Sequence, residues 1–342
     1  YLKDPWAARN EYISVVLDRS PESLNDFFSR WALRPLEDDE RSEALKLLEL
    51  QRYAMFMYTS CGWFFDELSG IETVQVIQYA GRVLDLCHGA FELDLEPQFL
   101  ERLAEAKSNI PEHADGREIY LKWIKPAIVT LNQATAHYAI ESLFQTNFEQ
   151  RQHVFVFTFE GGEREMITAG KARLVIGHTK VLSEITGETA DVSYAVFYMG
   201  EHNLTAGVSS YQSPEVFQAI ASDLKTTFDE VDFPKLIRAI GQHFGEPIYS
   251  LKSLFKDAQH HVLHELLETT RTDLENRFRR ITERYVPLMK FLGPSAKTLL
   301  PAVETASMFV LRMDLALQFG SERPEIDRLK RLIDEAKTRE NF

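Results

Sequence analysis

The sequence predicts an α+β protein, predominantly helical, with one antiparallel β-sheet inserted between two helical regions. Three observations carry this. Apolar residues recur at steps of three and four through much of residues 1–150, which is the signature of amphipathic helices. Between 151 and 212 the pattern changes to short strand-like runs cut by glycines. From 213 to 342 helical spacing returns. A (β/α) barrel alternates parallel strands with helices, and here the strand-like runs share one block, so this chain contains no such barrel.

Taken in order, Pro5 to Leu33 reads as short helices carrying Trp6, Tyr12, Ile13, Val16 and Leu17, then Phe27, Phe28 and Trp31. Core packing is the expected fate of these residues, with a docking surface as the alternative. The acidic run Glu37-Asp38-Asp39-Glu40 suits the positive end of a helix dipole and introduces the central helix. On that helix Leu47, Ala54, Tyr58 and Cys61 share a face, with Leu50 and Met57 beside them. An aromatic and acidic elbow follows, Cys61-Gly62-Trp63-Phe64-Phe65-Asp66-Glu67. Ser69 and Glu72 then have the spacing of a capping box. They open a second helix with Ile71, Val74, Gln78, Gly81 and Leu84 in register, where Gly81 admits a close neighbour.

Phe99 to Lys107 forms a short helix that ends before Asn109-Ile110-Pro111, and Glu112 to Gly116 is turn-like. A long helical pattern runs from Gly116 to Thr146, with Tyr120, Trp123, Ile124, Ala127, Leu131, Ala134, Tyr138 and Leu143 on its apolar face. Pro126 is expected to kink it. His137, beside that face, reads as a hydrogen-bonded structural histidine.

The strand block opens with His153 to Glu160, Gly161-Gly162, and Glu163 to Thr168, a pattern that predicts a β-hairpin across a two-glycine turn. Ala172 to Ile185, Val192 to Met199 and Asn203 to Ser209 follow, so four to six antiparallel strands fit the spacing. Gly177 predicts a bulge or a break in the longest run. A sheet this small needs covering, and packing on the helices is preferred to a free sandwich.

Ser213-Pro214-Glu215 supplies a serine cap and a first-turn proline. Helices are expected over Ser213–Phe228, Pro234–His243 and Ser250 to Met289, then, beyond Gly293-Pro294, over a buried Ala296–Phe319 and a charged, amphipathic Pro324–Phe342. His260, His261 and His264 invite a metal reading. The order of a zincin is absent and no third ligand is evident, so a partly exposed histidine face is expected and no metal or other cofactor is assigned. The chain also lacks a GxSxG elbow, a GxxxxGK[ST] loop and a GxGxxG turn after a strand.

Of 342 residues, 44% are hydrophobic and the formal net charge is −14. That composition can bury a large core and argues against a phosphate-backbone binder, so nucleic acid is not an expected partner. No apolar run of membrane-spanning length exists and no signal segment opens the chain, which makes a cytoplasmic location the default. Two cysteines, Cys61 and Cys87, fall inside helical patterns and read as buried thiols of a reducing compartment. The start on Tyr1 suggests a piece of a longer polypeptide with a missing N-terminal partner.

Two readings of the elbow stand side by side. In one, Trp63, Phe64 and Phe65 are core plugs while Asp66 and Glu67 cap the next helix. In the other, Trp63 and a phenylalanine lie open as a flat apolar platform and Asp66 supplies an oriented acceptor, as a polyhydroxy ligand requires.

The run LLELQRYAMFMYTSCGWFFDELSGIETVQVIQYAGRVLDL resembles the helical segment of the C-terminal region that follows the barrel in bacterial glycoside hydrolase family 57 proteins. DPWAARNEYISVVLDRS and IYSLKSLFKDAQHHVLHEL resemble other parts of the same region, so the likeness covers most of the chain. Family 57 enzymes act on α-glucans, with both catalytic carboxylates in the barrel and a late helical segment presenting a Ser-x-Asp-Trp-like motif to the sugar. The resemblance places Trp63 at the tryptophan, Ser60 or Cys61 at the small polar position, and Gly62 where the acid belongs. Glycine offers no side-chain acceptor, and Asp66 is the candidate to take its place.

The resemblance therefore implies a non-catalytic accessory region, inactive alone, whose partners are an N-terminal catalytic barrel and α-glucan. Trp63, Phe64, Phe65 and Asp66 are the expected substrate-binding residues, and no catalytic residue is assigned. A structural or protein-interaction scaffold without sugar contact is the rival.

Overall fold

The structure, a computed structural model, describes residues 1–144, 151–200, 203–292 and 326–340, together with 308, 311, 312, 314 and 315. The chain forms two compact units, Tyr1–Lys256 and Asp257–Phe342. The first carries the predicted α+β fold, with helices on both sides of one antiparallel sheet.

Helices α1 (Pro5–Glu11), α2 (Ile13–Leu17), α3 (Pro21–Trp31) and α4 (Asp38–Phe56) come first. Their starts are written locally. Asp4 accepts from the Trp6 and Ala7 N–H groups, Ser20 accepts from Ser23, and Glu37 and Glu40 form a reciprocal capping box at the head of α4. Tyr12, Val15, Phe27, Phe28, Leu45 and Leu48 pack into one apolar cluster. Trp6, Ile13 and Leu17 are exposed instead, because α1 and α2 are too short to turn more than a few residues inward.

The central helix ends at Phe56, before the expected Tyr58 and Cys61, and both of those residues are exposed. Its buried face is Ala44, Leu45, Leu48 and Glu49. Helix α5 (Ile71–Phe91) returns beside it, joined by Tyr79 packing on Phe56 with ring centroids 5.1 Å apart. Gly81 does admit a close neighbour, since a Cβ there would sit 2.8 Å from Ile124 Cγ2. Cys87, on α5, is half-buried.

Helix α6 (Glu96–Leu103) leads to the segment 116–141. The single kinked helix predicted there is broken. Short α7 (Gly116–Ile119) runs into a π turn, Tyr120–Ile124, then a 3-10 turn, Lys125–Ala127, and α8 (Leu131–Glu141) starts afresh. Pro126 has no N–H to continue the ladder, and Thr130 with Gln133 builds a new capping box.

Among the described residues six strands form one sheet: β1 (Arg151–Val154), β2 (Phe157–Glu160), β3 (Arg164–Ala169), β4 (Ala172–Ser183), β5 (Thr189–Gly200) and β6 (Asn203–Ser210). The hairpin predicted across Gly161-Gly162 does not form. β1 pairs β2 through a turn at Phe155, whereas β2 and β3 lie end to end along β4, with Phe157 opposite Ser183 and Arg164 opposite Gly177. The glycine pair is thus an interruption in one long strand. Gly162 has φ +97°, and a Cβ there would lie 1.7 Å from the His178 carbonyl oxygen.

Gly177 marks neither a bulge nor a break, since β4 runs through it. It makes room for the ring of Tyr194, its cross-strand partner on β5.

Both faces of the sheet are covered. Leu174, Ile176, Ala195 and Phe197 face α9 (Pro214–Asp229) and α10 (Phe233–Phe244), meeting Phe217, Leu224, Phe228, Leu236, Ile240 and Phe244. On the other face Tyr138 of α8 stacks on Phe159 at 4.3 Å and stands edge-on to Tyr194. This explains why residues 192–198 of β5 are buried continuously rather than alternately. His137 is buried, with its Nδ1 accepting from the Phe255 N–H at 3.3 Å.

In the second unit α11 (Lys256–Leu292) and α12 (Ile326–Glu340) are described, and Arg271 meets Asp314 at 3.4 Å. His260 and His264 are exposed on α11, and among the described residues no group of three or more His, Cys, Asp or Glu could hold a metal ion. The predicted break at Gly293-Pro294 and most of the helix predicted over Ala296–Phe319 lie outside the described residues. No described helix is long and apolar enough to cross a membrane.

Candidate functional site

The elbow between α4 and α5 brings the predicted binding residues together on the surface. Ser60 to Trp63 form one 3-10 turn. Trp63 is 75% exposed, Phe64 82% and Phe65 53%, so none is a core plug. Tyr58 and Ile71 flank them and are also exposed. Phe64 and Phe65 meet edge to face, with centroids 5.3 Å apart and planes at 72°, so those two phenyl rings do not share one plane.

This loop is held from three sides. Gly62 lies so close to α5 that a Cβ would sit 2.7 Å from Val76 Cγ2, and Thr73 Oγ1 donates to the Gly62 carbonyl at 3.4 Å. The third restraint is Glu67. Its carboxylate accepts from Ser108 Oγ at 2.7 Å, from the Asn109 N–H at 2.7 Å and from the Ser69 N–H at 2.9 Å. The Asn109 side chain in turn donates to the Asp66 carbonyl.

That set of donors corrects the predicted helix start. Ser69 and Glu72 form no capping box; α5 begins at Ile71 with Gly70 as an N-cap that has no side chain to offer, and the Ser69 N–H is spent on Glu67. Glu67, read from sequence only as a possible helix cap, is the residue that fixes the elbow. Two of its three donors, Ser108 and Asn109, lie more than forty positions away, and no local pattern announces them.

Electrostatics separates the two acids. The Ser108 hydroxyl, with the Ser69 and Asn109 N–H groups, holds Glu67 ionised and lowers its pKa to about 2. Such a group cannot serve as a general acid near neutrality. The carboxylate of Asp66 is exposed, and among the described residues no side chain pairs with it.

The elbow therefore offers apolar ring faces and edges next to one available acceptor. Such a combination suits the C–H faces and one hydroxyl of a polyhydroxylated ligand. Glycosidic bond cleavage needs two carboxylates flanking one bond, and with Glu67 committed the elbow supplies one.

A family model described as a domain of unknown function (DUF3536) matches residues 1–255. The match falls within the first compact unit. No curated protein and no solved structure matches the chain.

Proposed function

The chain belongs to the DUF3536 family, and on that premise we propose that it is the non-catalytic accessory region of a family 57-like glycoside hydrolase acting on α-glucans. In this proposal the chain packs over the mouth of a catalytic barrel carried N-terminally on the same polypeptide. Trp63, Phe64, Phe65 and Asp66 complete the sugar site, and hydrolysis belongs to carboxylates of the barrel. A cytoplasmic setting is part of the same proposal, in keeping with the free thiols of Cys61 and Cys87.

One observation carries the reading: three aromatic rings stand in solvent on a loop that Glu67 and Gly62 hold in place. Leaving such rings exposed forgoes burial energy, which a binding surface recovers when it is occupied. The experiment uses the barrel and this chain as one polypeptide. Hydrolysis of maltooligosaccharides should fall, chiefly through KM, in Trp63→Ala and Asp66→Asn, and the isolated chain should show no turnover. Turnover by the isolated chain, or unchanged kinetics in both variants, would overturn it.

A scaffold that binds protein and no sugar is the second reading, favoured by the exposed Trp6, Ile13 and Leu17. Tryptophan fluorescence of the barrel-bearing protein, titrated with maltooligosaccharide, separates the two. A response lost in Trp63→Ala supports the sugar site, and no response in either protein supports the scaffold.

A further inference from the structure

A cavity of about 460 Å³ opens between the end of α3 and the start of α4, lined by Lys3, Asn25, Phe28, Arg34, Leu36 and Arg41 among others. No carboxylate lines it, in a chain where 52 acidic residues outnumber 38 basic ones. Arg30, whose carbonyl accepts from Lys3, is by contrast matched by two carboxylates, Glu11 and Asp26.

Within the cavity only part of the charge is matched. Arg34 directs both terminal nitrogens at Glu40 and donates to the Pro35 carbonyl. Arg41 instead donates to Asn25 Oδ1 at 2.7 Å and lies over the Phe28 ring at 4.9 Å, and among the described residues no carboxylate pairs with it. Lys3 Nζ donates to the Arg30 carbonyl at 3.1 Å, and among the described residues its other two donors have no partner. Phe28 and Ala32, both buried, and the half-buried Leu36 supply an apolar floor.

We propose that this cavity binds a small organic oxyanion whose phosphate or carboxylate head bridges Lys3 and Arg41 while its body lies on the apolar floor. A guanidinium and an ammonium are the donors that oxyanions take best, each through a charge-assisted hydrogen bond. A site of this volume is far larger than one phosphate and within the range of small-ligand pockets. The site is separate from the elbow and does not depend on the sugar reading.

Calorimetric titration of the full chain with phenyl phosphate, inorganic phosphate and benzoate tests this. One phenyl phosphate should bind per chain, more tightly than inorganic phosphate. Arg41→Gln and Lys3→Gln should each weaken binding about tenfold or more, the loss expected for one charge-assisted hydrogen bond. Asn25→Asp is the decisive variant, because it keeps the hydrogen bond to Arg41 and the shape of the site yet hands Arg41 an internal carboxylate. It should fold at least as stably as the parent and lose the ligand. Arg9→Gln, outside the cavity, should bind unchanged. Benzoate binding with the same dependence on Arg41 assigns carboxylates as well as phosphates, and phenyl phosphate binding alone assigns phosphates. No saturation by any probe at about 5 mM, or undiminished binding by Asn25→Asp, overturns the proposal.

Discussion

The Glu67 carboxylate accepts the Asn109 backbone N–H at 2.7 Å across forty-two positions of sequence. Through that bond, and the Ser108 bond beside it at 2.7 Å, the loop bearing Trp63, Phe64 and Phe65 is tied to the turn that follows α6. The rings are exposed, yet the backbone beneath them is anchored to the helical layer.

The anchor should be sensitive to acid. An unperturbed glutamate titrates at 4.5 and folded Glu67 at about 2, so folding favours its ionised form. The stabilisation is fully present above the unfolded value and is lost as pH falls through the window from 4.5 towards 2. The melting-temperature gap between the parent and Glu67→Gln should accordingly be widest above pH 5 and close towards pH 2. A gap of constant size, or one that widens in acid, would show that the carboxylate charge is not what holds the elbow.

Trp63→Ala and Phe64→Ala should change unfolding free energy by no more than about 0.5 kcal/mol, as substitutions of exposed side chains do. Phe27→Ala, in the fully buried cluster of α1–α4, should cost about 3–5 kcal/mol. Chemical denaturation of the three variants checks this, and a loss at Trp63 comparable with that at Phe27 would return the elbow to the core.

The contrast between those residues shows where sequence is legible. Phe27 and Trp63 are equally apolar, and nothing within a few positions of either tells burial from exposure, since that depends on what the rest of the chain brings opposite. Local chemistry reads more reliably: Ser213 caps its helix as the sequence indicates, and Asp4, Ser20 and Thr130 are of the residue types that cap best. The strands were legible too, but their pairing was not. A two-glycine spacing suits a hairpin, and only the length of β4, which spans both β2 and β3, turns that spacing into an interruption. Ser69 and Glu72 had the right spacing for a capping box and lost to Glu67, whose other donors arrive from Ser108 and Asn109.

Three glycines should rank by what surrounds them. Gly162→Ala combines φ +97° with a collision against backbone and should prevent folding of the β2–β3 edge. Gly62→Ala and Gly81→Ala meet the side chains of Val76 and Ile124, and each should cost about 1–3 kcal/mol as an overpacked site. Val76→Ala should restore most of the loss in Gly62→Ala, because the obstructing methyl is removed. Thermal unfolding of the double variant reads this directly, and additive losses would place the strain elsewhere.

Glu49 is completely buried, and its carboxylate accepts from Tyr12 Oη at 2.7 Å, Arg19 at 2.6 Å and Arg52 at 2.8 Å. Burial, reinforced by the Glu49 charge, pushes the Tyr12 hydroxyl well above its usual pKa and keeps it a donor. Arg19 also donates to the Ile185 carbonyl at 2.9 Å, so one carboxylate ties α4 to both the N-terminal helices and the loop between β4 and β5. Lys46 and Glu188 repeat that link at 2.7 Å. Glu49→Gln keeps the shape and removes the charge that two arginines were folded around. It should cost about 3 kcal/mol, the lower end for breaking a buried pair, because both arginines retain some access to water. Lys46→Met removes a partly exposed pair and should cost less than about 1 kcal/mol. Denaturant unfolding of the two variants distinguishes a buried hub from a surface contact: equal small losses would mean that Arg19 and Arg52 find water readily when Glu49 is neutral.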